Sequence, residues 1–190
     1  MLILSMVISG NISFLIPLTS ATLHEFGHII SARLRKINLK KLDVGIFGAR
    51  LTMDTGLCTY NDEILICAAG PAVNFITAYI AFAVSQYTGI ESQATELFIL
   101  SSLSLGIINI LPIYSFDGGR ILYALISKIS NPKAAEGAVR FFSFISLFLL
   151  WSISLYLLLR TTASLSLFVF SVSVFSSLFI DTSQKSIENE

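Results

Sequence analysis

What most constrains the fold of this chain is a series of apolar runs, most of them long enough to cross a bilayer. A helix rises about 1.5 Å per residue, so roughly 20 residues span the hydrocarbon core. Residues 11–34 read NISFLIPLTSATLHEFGHIISARL, and further runs follow at 64–85, 97–111, 141–159 and 163–180. Pro17 lies near the start of the first run, where a missing backbone donor costs least. Only 13% of the 190 residues are charged, about half the usual share for a soluble domain. That excludes an ordinary soluble globule and a disordered tail. Twelve Lys and Arg against twelve Asp and Glu leave no net basic field for phosphate, so no nucleic-acid partner is expected. The prediction is an all-α polytopic membrane protein with about five to six transmembrane helices.

Basic residues orient these spans. Eleven of the twelve Lys and Arg fall on one side, after the first and third spans and in the tail, and only Arg160 falls on the other. The side with the excess is expected to be cytoplasmic. The loop at 86–96 carries two Glu and no Lys or Arg, in keeping with an external position. Residues 1–9 are apolar but too short to cross alone, and they lack the basic start of a signal peptide. They read as a lead-in segment packed on the bundle or as the remnant of a further span. Cys58 and Cys67 form no Cys-x-x-Cys pair and cannot build a disulfide framework.

Between residues 38 and 60 the pattern changes. Leu42, Val44 and Ile46 alternate with Lys41, Asp43 and Gly45; beyond Gly48, Leu51 and Met53 alternate with Arg50, Thr52 and Asp54. Period-two alternation around a glycine predicts a small β-hairpin at the cytoplasmic membrane surface. The tail after Asp181 is expected to fray.

The chain has two histidines, and both stand in His24-Glu25-Phe26-Gly27-His28. Helical positions i and i+4 lie about 40° apart around the axis and one turn along it. Both imidazoles can therefore reach one zinc ion, and Glu25, one step round, can hold a water and take its proton. A lone histidine is more often a core residue than a ligand. Here, however, that reading would need two histidines and a glutamate inside an apolar span with no chemical reason, where ionisable groups cost several kcal/mol.

A zinc hydrolase normally uses three protein ligands and an open position. With no third histidine, the carboxylate candidates on the cytoplasmic side are Asp43, Asp54, Asp62, Glu63, Asp117 and Glu136. Asp117 stands out: it follows a proline after the third span and precedes Gly118 and Gly119, which allow close backbone approach. In isolation it would be a solvated turn aspartate. A third patch, Gly70-Pro71-Ala72-Val73-Asn74, puts a glycine that permits close helix approach, a proline and a buried amide inside the second span. Asn74 could serve as an oxyanion donor or as a polar packing contact between helices.

Taken in order, these motifs resemble the site-2 protease family of intramembrane zinc metalloproteases, and most closely the branch typified by stage IV sporulation protein FB. The likeness runs from about residue 12 to 130, through His-Glu-x-Gly-His at 24–28, Gly-Pro-x-x-Asn at 70–74 and Asn-x-x-Pro-x-x-x-x-Asp-Gly-Gly at 109–119. The resemblance implies one zinc held by His24, His28 and Asp117, with Glu25 activating water. It further implies that Asn74 binds substrate or stabilises the oxyanion, and that Asn109, Pro112 and Gly118 shape the Asp117 loop. By the same likeness the hairpin guides an extended substrate. Residues 1–190 are then expected to form a single intramembrane metalloprotease domain, with no PDZ and no nucleotide-sensing domain.

The expected function is a zinc metalloendopeptidase of the cell membrane, multi-pass, with its active site towards the cytoplasm. It would cleave a peptide bond within or near a transmembrane segment of a membrane-tethered protein, as in regulated intramembrane proteolysis. A regulatory partner or a homo-oligomer stays open. The alternatives are a catalytically silent scaffold or zinc sensor of the same fold, against which Glu25 argues, and a zinc transporter. A transporter fits worse because only one ligand cluster is present.

Overall fold

The structure is a computed structural model that describes residues 15–37, 39–45, 48–53, 59–90, 92–160 and 172–173. In chain order the elements are α1 (Leu15–Leu34), β1 (Leu39–Gly45), β2 (Gly48–Met53), α2 (Tyr60–Thr88), α3 (Gln93–Ile110), α4 (Asp117–Ile129) and α5 (Pro132–Arg160). β1 and β2 pair in a two-stranded sheet. The chain falls into two compact units: Met1–Val44 with Ala49–Ile110, and Gly45–Gly48 with Leu111–Glu190.

In the first unit α1, α2 and α3 pack against one another. The end of α1 is closed by its own backbone. Lys36 takes the left-handed conformation at φ 57°; its N–H donates to the Arg33 carbonyl and the Ile37 N–H to the Ala32 carbonyl, each at 3.0 Å. This is the double bond pattern that usually recruits glycine. It folds Ile37 back onto Ala32, and both cluster with Ile66 of α2. α2 begins with a reciprocal cap: the Asp62 N–H donates to the Thr59 hydroxyl and the Thr59 N–H donates to the Asp62 carboxylate. Arg35 joins Asp62 across the two helix ends at 3.0 Å. Being exposed on the Arg35 side and screened by water, that ion pair contributes little to stability. Deeper in, the Ser20 and Ser102 hydroxyls share a buried hydrogen bond of 2.9 Å between α1 and α3. Small polar contacts of this kind hold helices together where apolar side chains gain nothing over lipid.

In the second unit α4 packs on α5. α4 was not foreseen as an element. With 13 residues it is too short to cross a bilayer. Its buried side carries Asp117, Gly118, Ala124 and Ser127, while Leu125 and Ile129 are exposed.

Among the described residues, three helical segments are long and apolar enough to span a membrane: Tyr60–Thr88, Gln93–Ile110 and Pro132–Tyr156. They overlap the expected runs at 64–85, 97–111 and 141–159 and begin four to nine residues earlier. α1 is not among them, because His24, Glu25, His28 and Arg33 dilute its apolar character. The run at 163–180 and residues 1–9 lie almost wholly outside the described residues. Large apolar side chains point outward along the spanning helices, including Ile76, Tyr79 and Phe82 on α2 and Phe144, Phe148 and Ile153 on α5. In water such a surface would aggregate; in lipid it is the ordinary exterior.

Candidate metal centre

His24 and His28 are both buried on α1. Their rings meet edge to face, with centroids 4.8 Å apart and planes at 84°, and the two Nε2 atoms lie 3.1 Å apart. Nδ1 of His28 lies 2.7 Å from the Ile66 carbonyl. A carbonyl only accepts, so that nitrogen carries the ring proton and Nε2 presents its lone pair. Two nitrogen ligands of a tetrahedral zinc, each at about 2.05 Å, stand about 3.3 Å apart. The spacing of the histidine pair fits that requirement.

α2 supplies three of the groups around the two rings. Ile66, Gly70 and Asn74 follow at steps of four residues, and so form one stripe along the helix. Ile66 gives its carbonyl to His28. Gly70 gives room: a Cβ there would strike His28 Nε2, lie 2.5 Å from His28 Cε1 and 2.8 Å from His24 Cε1. Asn74 is fully buried, and its amide Nδ2 lies 3.1 Å from Nδ1 of His24. Pro71, next in sequence, has no N–H to give back to its own helix. Glu25 follows His24 on α1 and is half-buried.

Asp117 opens α4 in the second unit and is buried, as are Gly118 and Gly119. An anionic side chain in the first turn of a helix is favoured by the unpaired N–H groups there. The loop before it is tightly tied. The Phe116 N–H donates to the Ile113 carbonyl at 2.9 Å. Ser143, fully buried on α5, accepts from the Tyr114 N–H at 2.8 Å and donates to the Pro112 carbonyl at 3.2 Å. A Cβ at Gly119 would strike the Ile113 carbonyl oxygen, so the loop can fold back over α4 only with glycine there. Gly118, the loop glycine singled out in the sequence, sits beside it. Asn109 makes its side-chain bond within α3, donating from Nδ2 to the Leu105 carbonyl at 3.0 Å.

The structure thus brings His24, His28 and Asn74 together and places Asp117 at the start of a separate element. Three contributors were not read from the sequence. Gly70 was seen as a close-packing glycine, not as clearance for two imidazoles. Ile66 acts through its carbonyl, which no residue letter encodes. Ser143 is one of several serines in an apolar run, with nothing to mark it.

Comparison with known proteins bears on the whole arrangement. A zinc metalloprotease of Methanocaldococcus jannaschii is 34% identical over 118 residues, which are 60% of this chain and 34% of that protein. Stage IV sporulation protein FB of Bacillus subtilis is 28% identical over 124 residues, 64% of this chain and 43% of that protein. The chain therefore spans about a third to less than half the length of these curated relatives. The solved structure of a site-2 protease from Methanocaldococcus jannaschii superposes with a TM-score of 0.61 at 28% identity, covering 87% of this chain and 74% of that one. Residues 13–95 and 86–153 match peptidase family M50, a stretch that carries His24, Glu25, His28, Asn74 and Asp117, and the chain belongs to that family.

Proposed function

We propose that this protein is an intramembrane zinc metalloendopeptidase that cuts a membrane-tethered protein within or near a transmembrane segment. The observation that carries the reading is the convergence of the two Nε2 atoms at 3.1 Å, with His28 locked in the ligand tautomer by the Ile66 carbonyl. His24, His28 and Asp117 hold one zinc; all three are buried and each offers one ligand atom. Zinc bound there would polarise the scissile carbonyl and bring the pKa of water towards about 7. Glu25 takes a proton from the attacking water. As the carbon–nitrogen bond breaks, it returns that proton to the leaving amine.

A substrate helix hides its peptide bonds behind its own hydrogen bonds, so local unwinding must come first. The β1–β2 sheet supports a role in holding the unwound segment, since an extended peptide can add to a strand edge. The outward apolar side chains of α2 and α5 support an integral, multi-pass position in the bilayer. The eleven-to-one split of Lys and Arg supports an active site facing the cytoplasm. A reporter fused after Lys128 reads as cytoplasmic and one at residue 89 as external. The reverse result for residue 89 would overturn this orientation.

The proposal is tested on the purified, detergent-solubilised chain and on cells co-expressing single-span substrates. The wild type holds about one zinc per chain. His24→Ala, His28→Ala and Asp117→Ala each lose metal and cleavage together, since ligand loss removes most of the binding energy. Full zinc occupancy in Asp117→Ala would remove Asp117 from the ligand set. A wild type without zinc and without cleavage products would sink the assignment.

A further inference from the structure

Asn74 meets the metal centre with one half of its amide unpartnered among the described residues. It is fully buried inside α2, its amide lies 3.1 Å from Nδ1 of His24, and its Oδ1 has no hydrogen-bond partner among the described residues. We infer that Asn74 is a positioning residue for the metal centre: its side-chain oxygen accepts the Nδ1–H of His24 and so fixes that ring in the tautomer whose Nε2 can bind metal. This rests on the metal-site reading above and adds a role for a residue otherwise taken to face the substrate.

Proton accounting decides between the two orientations of the amide. An asparagine amide presents oxygen or nitrogen in nearly the same place, and the surrounding chemistry decides which. If Nδ2 faces the ring, Nδ1 of His24 must accept. The His24 proton then sits on Nε2, the nitrogen that lies 3.1 Å from Nε2 of His28, and that nitrogen has no lone pair to offer a metal. If Oδ1 faces the ring, Nδ1 carries the proton and both Nε2 lone pairs converge. Turning the amide breaks no bond that Oδ1 makes, because it makes none in the first orientation. His28 already shows the same device, with the Ile66 carbonyl as its acceptor. Metal-bound histidines generally give their second N–H to a carboxylate or carbonyl, and loss of that acceptor costs roughly 10–100-fold in metal affinity. The two rings would then be held alike, one by a backbone oxygen and one by a side-chain oxygen of the same helix.

The test measures zinc affinity by chelator competition on the full chain in detergent, beside the histidine tautomers by ¹⁵N NMR of the zinc-free protein, where no metal dictates which ring nitrogen carries the proton. Asn74→Asp keeps an oxygen acceptor and cannot donate when ionised, so it retains zinc within a few-fold of wild type. Asn74→Leu keeps the volume without the acceptor and weakens zinc roughly 10–100-fold. In the wild type, Nδ1 of His24 is protonated. Wild-type affinity in Asn74→Leu, or loss of zinc in Asn74→Asp with His28 still in its tautomer, would overturn the inference. The NMR reading on the wild type decides the matter even if a variant misfolds. Failure of the wild type itself to bind zinc would instead sink the metal-site reading, so the two failures are distinguishable.

Discussion

Glu25→Gln keeps about one zinc per chain and loses cleavage by roughly 10²–10⁴-fold, the usual share of a positioned general base. The substitution preserves shape and volume and removes only the ability to take a proton. Since Glu25 is not counted among the metal ligands, zinc content separates its role from theirs. A ligand variant loses both readouts; this one loses a single readout. The half-buried position of Glu25 on the turn that bears His24 makes a purely structural defect easy to recognise, because it would also lower metal binding. Cleavage by Glu25→Gln at the wild-type rate would mean that another group activates the water.

Gly70→Ala should strike the metal centre directly. The added carbon would strike Nε2 of His28, lie 2.5 Å from its Cε1 and 2.8 Å from Cε1 of His24. Contacts that short force displacement, and the groups that must move are the two ring edges that would face the metal. Zinc affinity is expected to fall by at least about 100-fold, beyond what loss of an outer hydrogen-bond partner causes. Stability should fall as well, because overpacking typically costs about 1–3 kcal/mol, which outweighs the gain of about 1 kcal/mol from alanine over glycine in a helix interior. The measurements are chelator competition and thermal unfolding on the same sample. Unchanged zinc affinity in a folded Gly70→Ala protein would show that the rings do not need this clearance.

How much could be read in advance depended on whether the chemistry is written in side chains. The spacing of His24 and His28 is a helical statement, and it does bring two ring nitrogens to 3.1 Å. The apolar runs at 64–85, 97–111 and 141–159 announced helices because length and hydropathy suffice inside a bilayer. α4 escaped notice. Its apolar residues recur at helical spacing over only 13 positions, and Asp-Gly-Gly in isolation reads as a turn. The Ile66 carbonyl is invisible to any reading of residue types. Gly70 was legible as a packing residue, but what it makes room for depends on how α1 and α2 meet, which no local pattern specifies. Ser143 closes the 112–114 loop by a contact 29 and 31 residues away, and an isolated serine carries no trace of such a partner.

The stripe of Ile66, Gly70 and Asn74 has a consequence for how such a chain can change over generations. One residue inserted between 66 and 74 would swing Asn74 about 100° round the helix and shift it by about 1.5 Å. The carbonyl, the gap and the amide would then no longer face the same two rings. These nine positions tolerate exchange of outward residues but not a change in length. The connection from α1 to α2 is under no such rule, because the Lys36 turn and the Thr59 cap each close their own helix end. Segments can lengthen or shorten there while the two helix faces stay in step. Diversity should therefore accumulate as insertions and deletions in that connection, and novelty in what the protein recognises can enter without rewriting the metal centre.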